Sequence, residues 1–127
     1  MATKINKSSD GLALGGYDPV AYFQEGKPVK GKKEFEHEWN GAKWHFSSAA
    51  NRDLFTANPE KYTPQYGNFC AWGMSQGKFF DGDPEVWKVV DGKLYVNFNK
   101  DIEKTWVTDI PGFIKKANDN WPRMQKE

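Results

Sequence analysis

The chain has little with which to do metal or redox chemistry by the familiar routes. Its 127 residues include one cysteine and two histidines. A single Cys70 excludes an intramolecular disulfide, and without a C-x-x-C pair there is no zinc ribbon and no thioredoxin-like redox site. Any tetrahedral Cys/His centre is one ligand short and needs a carboxylate, water or second protomer. The sequence also lacks a glycine-rich phosphate loop, a G-x-S-x-G elbow and an H-E-x-x-H helix. No apolar run approaches the roughly 20 residues that cross a bilayer, so no membrane span is expected. Residues 1–12 hold no apolar leader core. Charge of one sign is missing too: 18 basic against 17 acidic residues give +1. That balance argues against nucleic acid as a partner, which calls for a basic face. The one basic run, Lys27–Lys33, reads as a solvated loop.

Aromatic residues, by contrast, make up 16% of the chain. Rings of this size bury large apolar areas and give a small domain a specific core. The length suits one domain. Residues 1–14 are expected to include a polar, mobile tail, and 15–127 a single folded unit.

Two hairpins stand out. Glu34–Ser47 alternates around Asn40-Gly41, a pair suited to a type I′ turn. Its register puts Trp39 opposite Ala42, His37 opposite Trp44 and Phe35 opposite Phe46 on an aromatic face. Glu38 with Lys43 and Glu36 with His45 share a wet one. Trp87–Phe98 repeats the device at Asp91-Gly92, with Trp87, Val89, Leu94, Val96 and Phe98 apolar and Lys88, Lys93, Tyr95 and Asn97 on the other side. Helices are expected after Asp18-Pro19, after Ser47 or Ser48 with Leu54 and Phe55 inward, at Lys100–Val107, and from Ile110 to Asn120 capped by Asp109. Thr63–Lys78 reads as irregular chain with a short buried strand around Phe69–Trp72. Together these elements predict an α+β fold: a small antiparallel sheet built from the two hairpins, with helices packed on it.

Candidate chemistry is sparse. Cys70 reads as a small core residue or as a thiolate for a soft metal such as Cu(I). His45 reads as the partner of Glu36 or as a metal ligand beside it, and His37 as a core histidine. Tyr17, Asp18, Tyr66 and Trp72 are candidates to line a pocket for a small apolar ligand, with core as the competing reading. A nucleophile at Cys70 needs a histidine within reach.

Gly16–Phe23 (GYDPVAYF), Trp44–Lys78 and Asp91–Asn99 (DGKLYVNFN) together resemble the YHS-domain family, most closely its stand-alone bacterial members. That resemblance implies a module linked to transition metals, copper or zinc, and not obviously catalytic. In metal-associated relatives a Cys follows Asp-Pro-Val, and two more occur around the Phe-Cys-Ser segment. Here those positions hold Ala21, Ser47 and Asn51. Cys70, in Tyr66–Ala71 (YGNFCA), is then the remaining metal anchor, with His45. The resemblance further implies export to the periplasm, with a leader removed; the residues alone leave the cytoplasm open. The rival readings are a protein-interaction or self-associating domain without a small ligand, and third, a Cys-dependent enzyme.

Overall fold

Hydrophobic patterning places the elements, and the computed structural model describes residues 4–126. Along the chain they are α1 (Ala21–Gln24), β1 (Lys32–Trp39), β2 (Ala42–Phe46), α2 (Ala49–Ala57), α3 (Pro59–Tyr62), α4 (Ala71–Ser75), β3 (Asp83–Val90), β4 (Lys93–Asn97), α5 (Lys100–Trp106) and α6 (Ile110–Met124). The fold is α+β. The two hairpins form two separate two-stranded antiparallel sheets, β1-β2 and β3-β4, instead of one sheet.

Both turns are set by residues that tolerate left-handed backbone. Asn40 and Gly41 have φ of 53° and 77°, and Asp91 and Gly92 have 52° and 76°. Positive φ at both central positions is what a type I′ turn requires, and it matches the twist of the flanking strands. Trp39 pairs with Ala42, Glu38 with Lys43, His37 with Trp44 and Glu36 with His45. Beyond Glu36 the register shifts, so Phe46 pairs with Lys32 and not with Phe35. Such an irregularity bends the strand and ends the strict alternation.

Two clusters of buried side chains make the core. The first joins Trp44, Phe46, Phe55, Tyr62, Leu94 and Val96. Phe55 is its hub, with ring centroids 5.3 Å from Trp44 and 5.0 Å from Phe46. The second joins Tyr66, Phe69, Met74, Tyr95, Trp106 and Ala117. β4 lies between them: Leu94 and Val96 face one cluster and Tyr95 the other. The expected wet face of this strand is therefore buried, with Tyr95 4% and Asn97 1% exposed. Trp or Phe to Ala at such sites typically costs about 3–5 kcal/mol.

Helices α2, α5 and α6 start on oxygen side-chain caps. Ser48 accepts from Asn51 N–H, Asn99 from Ile102 N–H and Asp109 from Gly112 N–H, each relieving a first-turn donor. Cys70 caps α4 with sulfur, accepting from Gly73 N–H at 3.4 Å. A helix thus stands where a short strand was expected; Phe69 keeps only an isolated bridge to Asp81. α6 runs on through Pro122 to Met124, past the expected stop at Asn120. A proline there costs one hydrogen bond near the helix end, while Met124 gains burial. Leu54, Phe98 and Val107, expected inward, are exposed at 40%, 47% and 48%.

The N-terminal stretch is bound to the body. Asn6 N–H donates to Gly67 O at 2.7 Å, Leu12 bridges to Lys43, and Ala13 and Leu14 are buried. Backbone pairing and the buried Ala13 and Leu14 place this segment, where a mobile tail is expected from sequence, against the body. Residues 1–3 of that expected tail lie outside the described residues.

Candidate functional site

Cys70 is fully buried. Its sulfur accepts N–H bonds from Gly73 and from Phe98 at 3.2 Å, and its S–H reaches Asn97 Oδ1 at 3.4 Å. Asn97 Oδ1 also accepts from Trp72 N–H at 3.0 Å, so the thiol ties α4 to the end of β4. Burial pushes the thiol pKa up, partly opposed by the N–H groups of Gly73, Phe98 and Trp72. A raised thiol pKa disfavours the thiolate needed by a nucleophile or a soft-metal ligand.

His45 lies elsewhere, on β2. Its Nε2 meets Glu36 Oε1 at 3.0 Å. The shallow hollow beside it, about 160 Å³, is lined by Asp10, Leu12, Lys33, Glu36, Lys43 and His45. Among the described residues, Cys70 and His45 share neither a hydrogen-bond partner nor this hollow. His37 is half-buried, its ring edge-on to Phe55 at 6.4 Å.

Asp18 is the most heavily bonded side chain in the fold's N-terminal half. Its carboxylate is fully buried. Oδ1 accepts from Val20 N–H at 2.8 Å and Ala21 N–H at 3.3 Å. Oδ2 accepts from Ser47 N–H and Ser47 Oγ–H, both at 2.8 Å, and from Asn51 Nδ2–H at 2.9 Å. One carboxylate thus fastens the start of α1, the end of β2 and the first turn of α2. Bonds to an ionised acceptor are the stronger class, and they offset the cost of burying the charge.

Ala21, Ser47 and Asn51 are the positions where the resemblance leads one to look for thiolates. They converge on Asp18, so the locus exists in space but carries oxygen and nitrogen donors already bonded to one another. Its residues do not fit a soft metal ion. Among the described residues, no group of three or more His, Cys, Asp or Glu side chains is placed to hold a metal. A centre built from Cys70 and His45 together does not fit their separate surroundings either.

The proposed pocket residues also separate. Tyr17 is half-buried, with Lys30 Nζ 5.8 Å from its ring centroid. Trp72 stacks on Phe80 with the rings 7° from parallel. Tyr66 alone of the four lines a substantial cleft, about 490 Å³ in volume, walled by Ile5, Trp39, Asn40, Glu60, Thr63, Pro64, Gln65, Gly67 and Trp121 as well. This volume falls within the usual range for small-molecule sites. A second groove of about 550 Å³ beside α6 has no aromatic wall, and its Lys115 and Asp119 pair with each other at 3.3 Å.

The floor of the first cleft is strained backbone. Tyr66, Gly67 and Asn68 have φ of 62°, 59° and 71° in succession. A non-glycine residue there costs of order 1–2 kcal/mol, and such strain concentrates at functional positions. Several contacts hold it. Tyr66 Oη–H donates to Asn118 Oδ1 at 2.8 Å, and its ring lies 6.2 Å from Trp121 at 71°. Asn6 closes over the strained turn, its backbone N–H on Gly67 O and its Nδ2–H on Asn68 O at 3.3 Å. Sequence inspection missed Trp121 as a ring partner of Tyr66 and Trp39 as a wall of the same cleft. The only signals were a tryptophan beside the Asn-Gly turn and another where α6 was expected to have ended.

Residues 20–66 match the family model described as the YHS domain. No curated protein and no solved structure matches the chain. The matched segment spans α1 through α3 and ends at Tyr66, so the cleft lies along the seam between it and the remainder.

Proposed function

We propose that the chain, whose residues 20–66 match the YHS domain, is a small ligand-binding module whose site lies off the locus where the resemblance leads one to look for thiolates. The carrying observation is the contrast between that locus, closed by Asp18, and the open aromatic cleft of Trp39, Tyr66 and Trp121. Binding without catalysis suits these residues. The cleft presents ring faces, backbone, the side chains of Asn40, Thr63 and Gln65, and one carboxylate, Glu60; the Thr63 hydroxyl donates to Pro59 O, and no nucleophile–base pair is formed among the described residues. Burial also pushes the Tyr66 phenol well above its ordinary pKa, leaving it a neutral hydrogen-bond donor at physiological pH.

A second reading, handling of copper or zinc, draws on the family match and on Cys70. The buried, already bonded sulfur counts against it. A partner-binding or self-associating role draws on exposed Phe98 beside Phe80 and Trp72.

The test is N–H resonance mapping with a panel of small organic compounds, neutral (cyclohexanol, acetanilide), anionic (benzoate) and cationic (benzylammonium), beside Zn(II) and Cu(I). Saturable shifts at the Trp39 and Trp121 indoles and at Gly67 with at least one organic compound are expected. Stoichiometric metal binding that is abolished by Cys70→Ser, with no organic compound moving those signals, would replace this reading with the metal one.

A further inference from the structure

Resting on that reading of the cleft, we infer that its ligand is an organic cation, an alkylammonium or quaternary ammonium group seated on the aromatic walls. The lining contains two tryptophans, one tyrosine and one carboxylate, but no lysine, arginine or histidine. An ammonium group is attracted to the negative face of an aromatic ring, most strongly to tryptophan. Trp39 and Trp121 are both half-buried, so each keeps ring surface accessible. Tyr66, turned by its left-handed backbone and fixed through Asn118, stands edge-to-face with Trp121. Tyr66 itself is nearly buried, so the ring faces left accessible to a headgroup are those of Trp39 and Trp121.

Charge points the same way. Glu60 is exposed and forms no ion pair among the described residues. The lysines nearest in chain or contact to the lining flank it without lining it. Lys61 Nζ lies 5.3 Å from the Tyr62 ring centroid, Lys4 Nζ 4.9 Å from that of Phe79, and Lys7 Nζ donates to Gly41 O at 2.6 Å. An anion entering the cleft would meet a carboxylate with no paired cation, whereas a cation would find Glu60 available. Ile5, next to the Asn6 N–H bond to Gly67 O, lines the cleft and offers alkyl groups a surface.

The experiment compares choline with its neutral carbon isostere, the alcohol bearing a tert-butyl group in place of trimethylammonium, by titrating the full chain and following the Trp39 and Trp121 indole signals. Choline is expected to bind roughly fivefold or more tightly than the isostere. Glu60→Gln should weaken choline by roughly threefold and leave the isostere unchanged. Glu60 is exposed, so this variant keeps the test usable if Trp121→Leu fails to fold. Equal or tighter binding of the isostere, or benzoate binding in the cleft in preference to choline, would overturn the cation assignment while leaving a ligand-binding cleft. Cleft signals indifferent to choline, isostere and benzoate alike would overturn both.

Discussion

The Asp18 knot and the Trp39–Tyr66–Trp121 cleft sit in one small fold and use polar groups in opposite ways. Around Asp18 every bond runs inward: a fully buried carboxylate accepts from Val20, Ala21, Ser47 and Asn51. Around Tyr66 the rings and Glu60 border open space, and strained backbone is held in place to keep them there. A buried network satisfied by the protein itself specifies structure and has nothing left for a ligand. A concave surface with unpaired charge and exposed ring faces is where binding energy remains available. The polar knot and the open cleft therefore do different physical work in the same fold.

The comparison breaks most readily at the knot. Asp18→Ala should lower stability by about 3–5 kcal/mol, since it strands several buried donors at once. Urea denaturation measures this, and a loss below about 1 kcal/mol would mean that the knot is not the fastener of α1, β2 and α2. Gly67→Ala should come next, at about 2 kcal/mol. Its Cβ would lie 2.0 Å from Lys4 O at a φ of +59°, so the strap must lift, and cleft binding should fall with stability. Thermal melts with and without ligand separate the two losses.

How much of this was legible from residues alone divides along the same line. The hairpins were readable because Asn-Gly and Asp-Gly fix both turn type and register locally. The buried second face of β4 was not, because a period of two cannot reveal that Tyr95 and Asn97 meet another cluster. α4 escaped notice because its cap is a sulfur and its length one short turn. A helix start is readable at Asp18-Pro19, but the bonds of Asp18 to Ser47 and Asn51 span 29 and 33 positions. The cleft depends on Trp121, which α6 carries to within 6.2 Å of the Tyr66 ring by running on past Asn120.

A smaller effect follows from pH. Burial raises the Cys70, Tyr22, Tyr66 and Tyr95 pKa values above ordinary values of 9.0 for the thiol and 10.0 for the phenols. The native state therefore holds these protons more tightly than the unfolded chain. Their contribution is fully present below pH 9 and is lost as pH rises past the unfolded values. Stability by urea titration should hold level from pH 7 to about 8.5 and decline by pH 10.5. A rise over that interval would contradict the burial of these groups. Smallest is Trp121→Leu, expected to cost about 1 kcal/mol of stability because the ring is half-buried, while abolishing cleft binding. If stability collapsed instead, Trp121 would belong with the core and not with the site.

The most direct measurement is a map of backbone and indole N–H signals during parallel titrations with the organic panel and with Zn(II). Saturable shifts at residues 39–40, 60–67 and 121 with an organic compound, and none with Zn(II) at Asp18, Ala21, Ser47 and Asn51, are the predicted result. Saturable Zn(II) shifts centred on Asp18, with a silent cleft, would contradict the account.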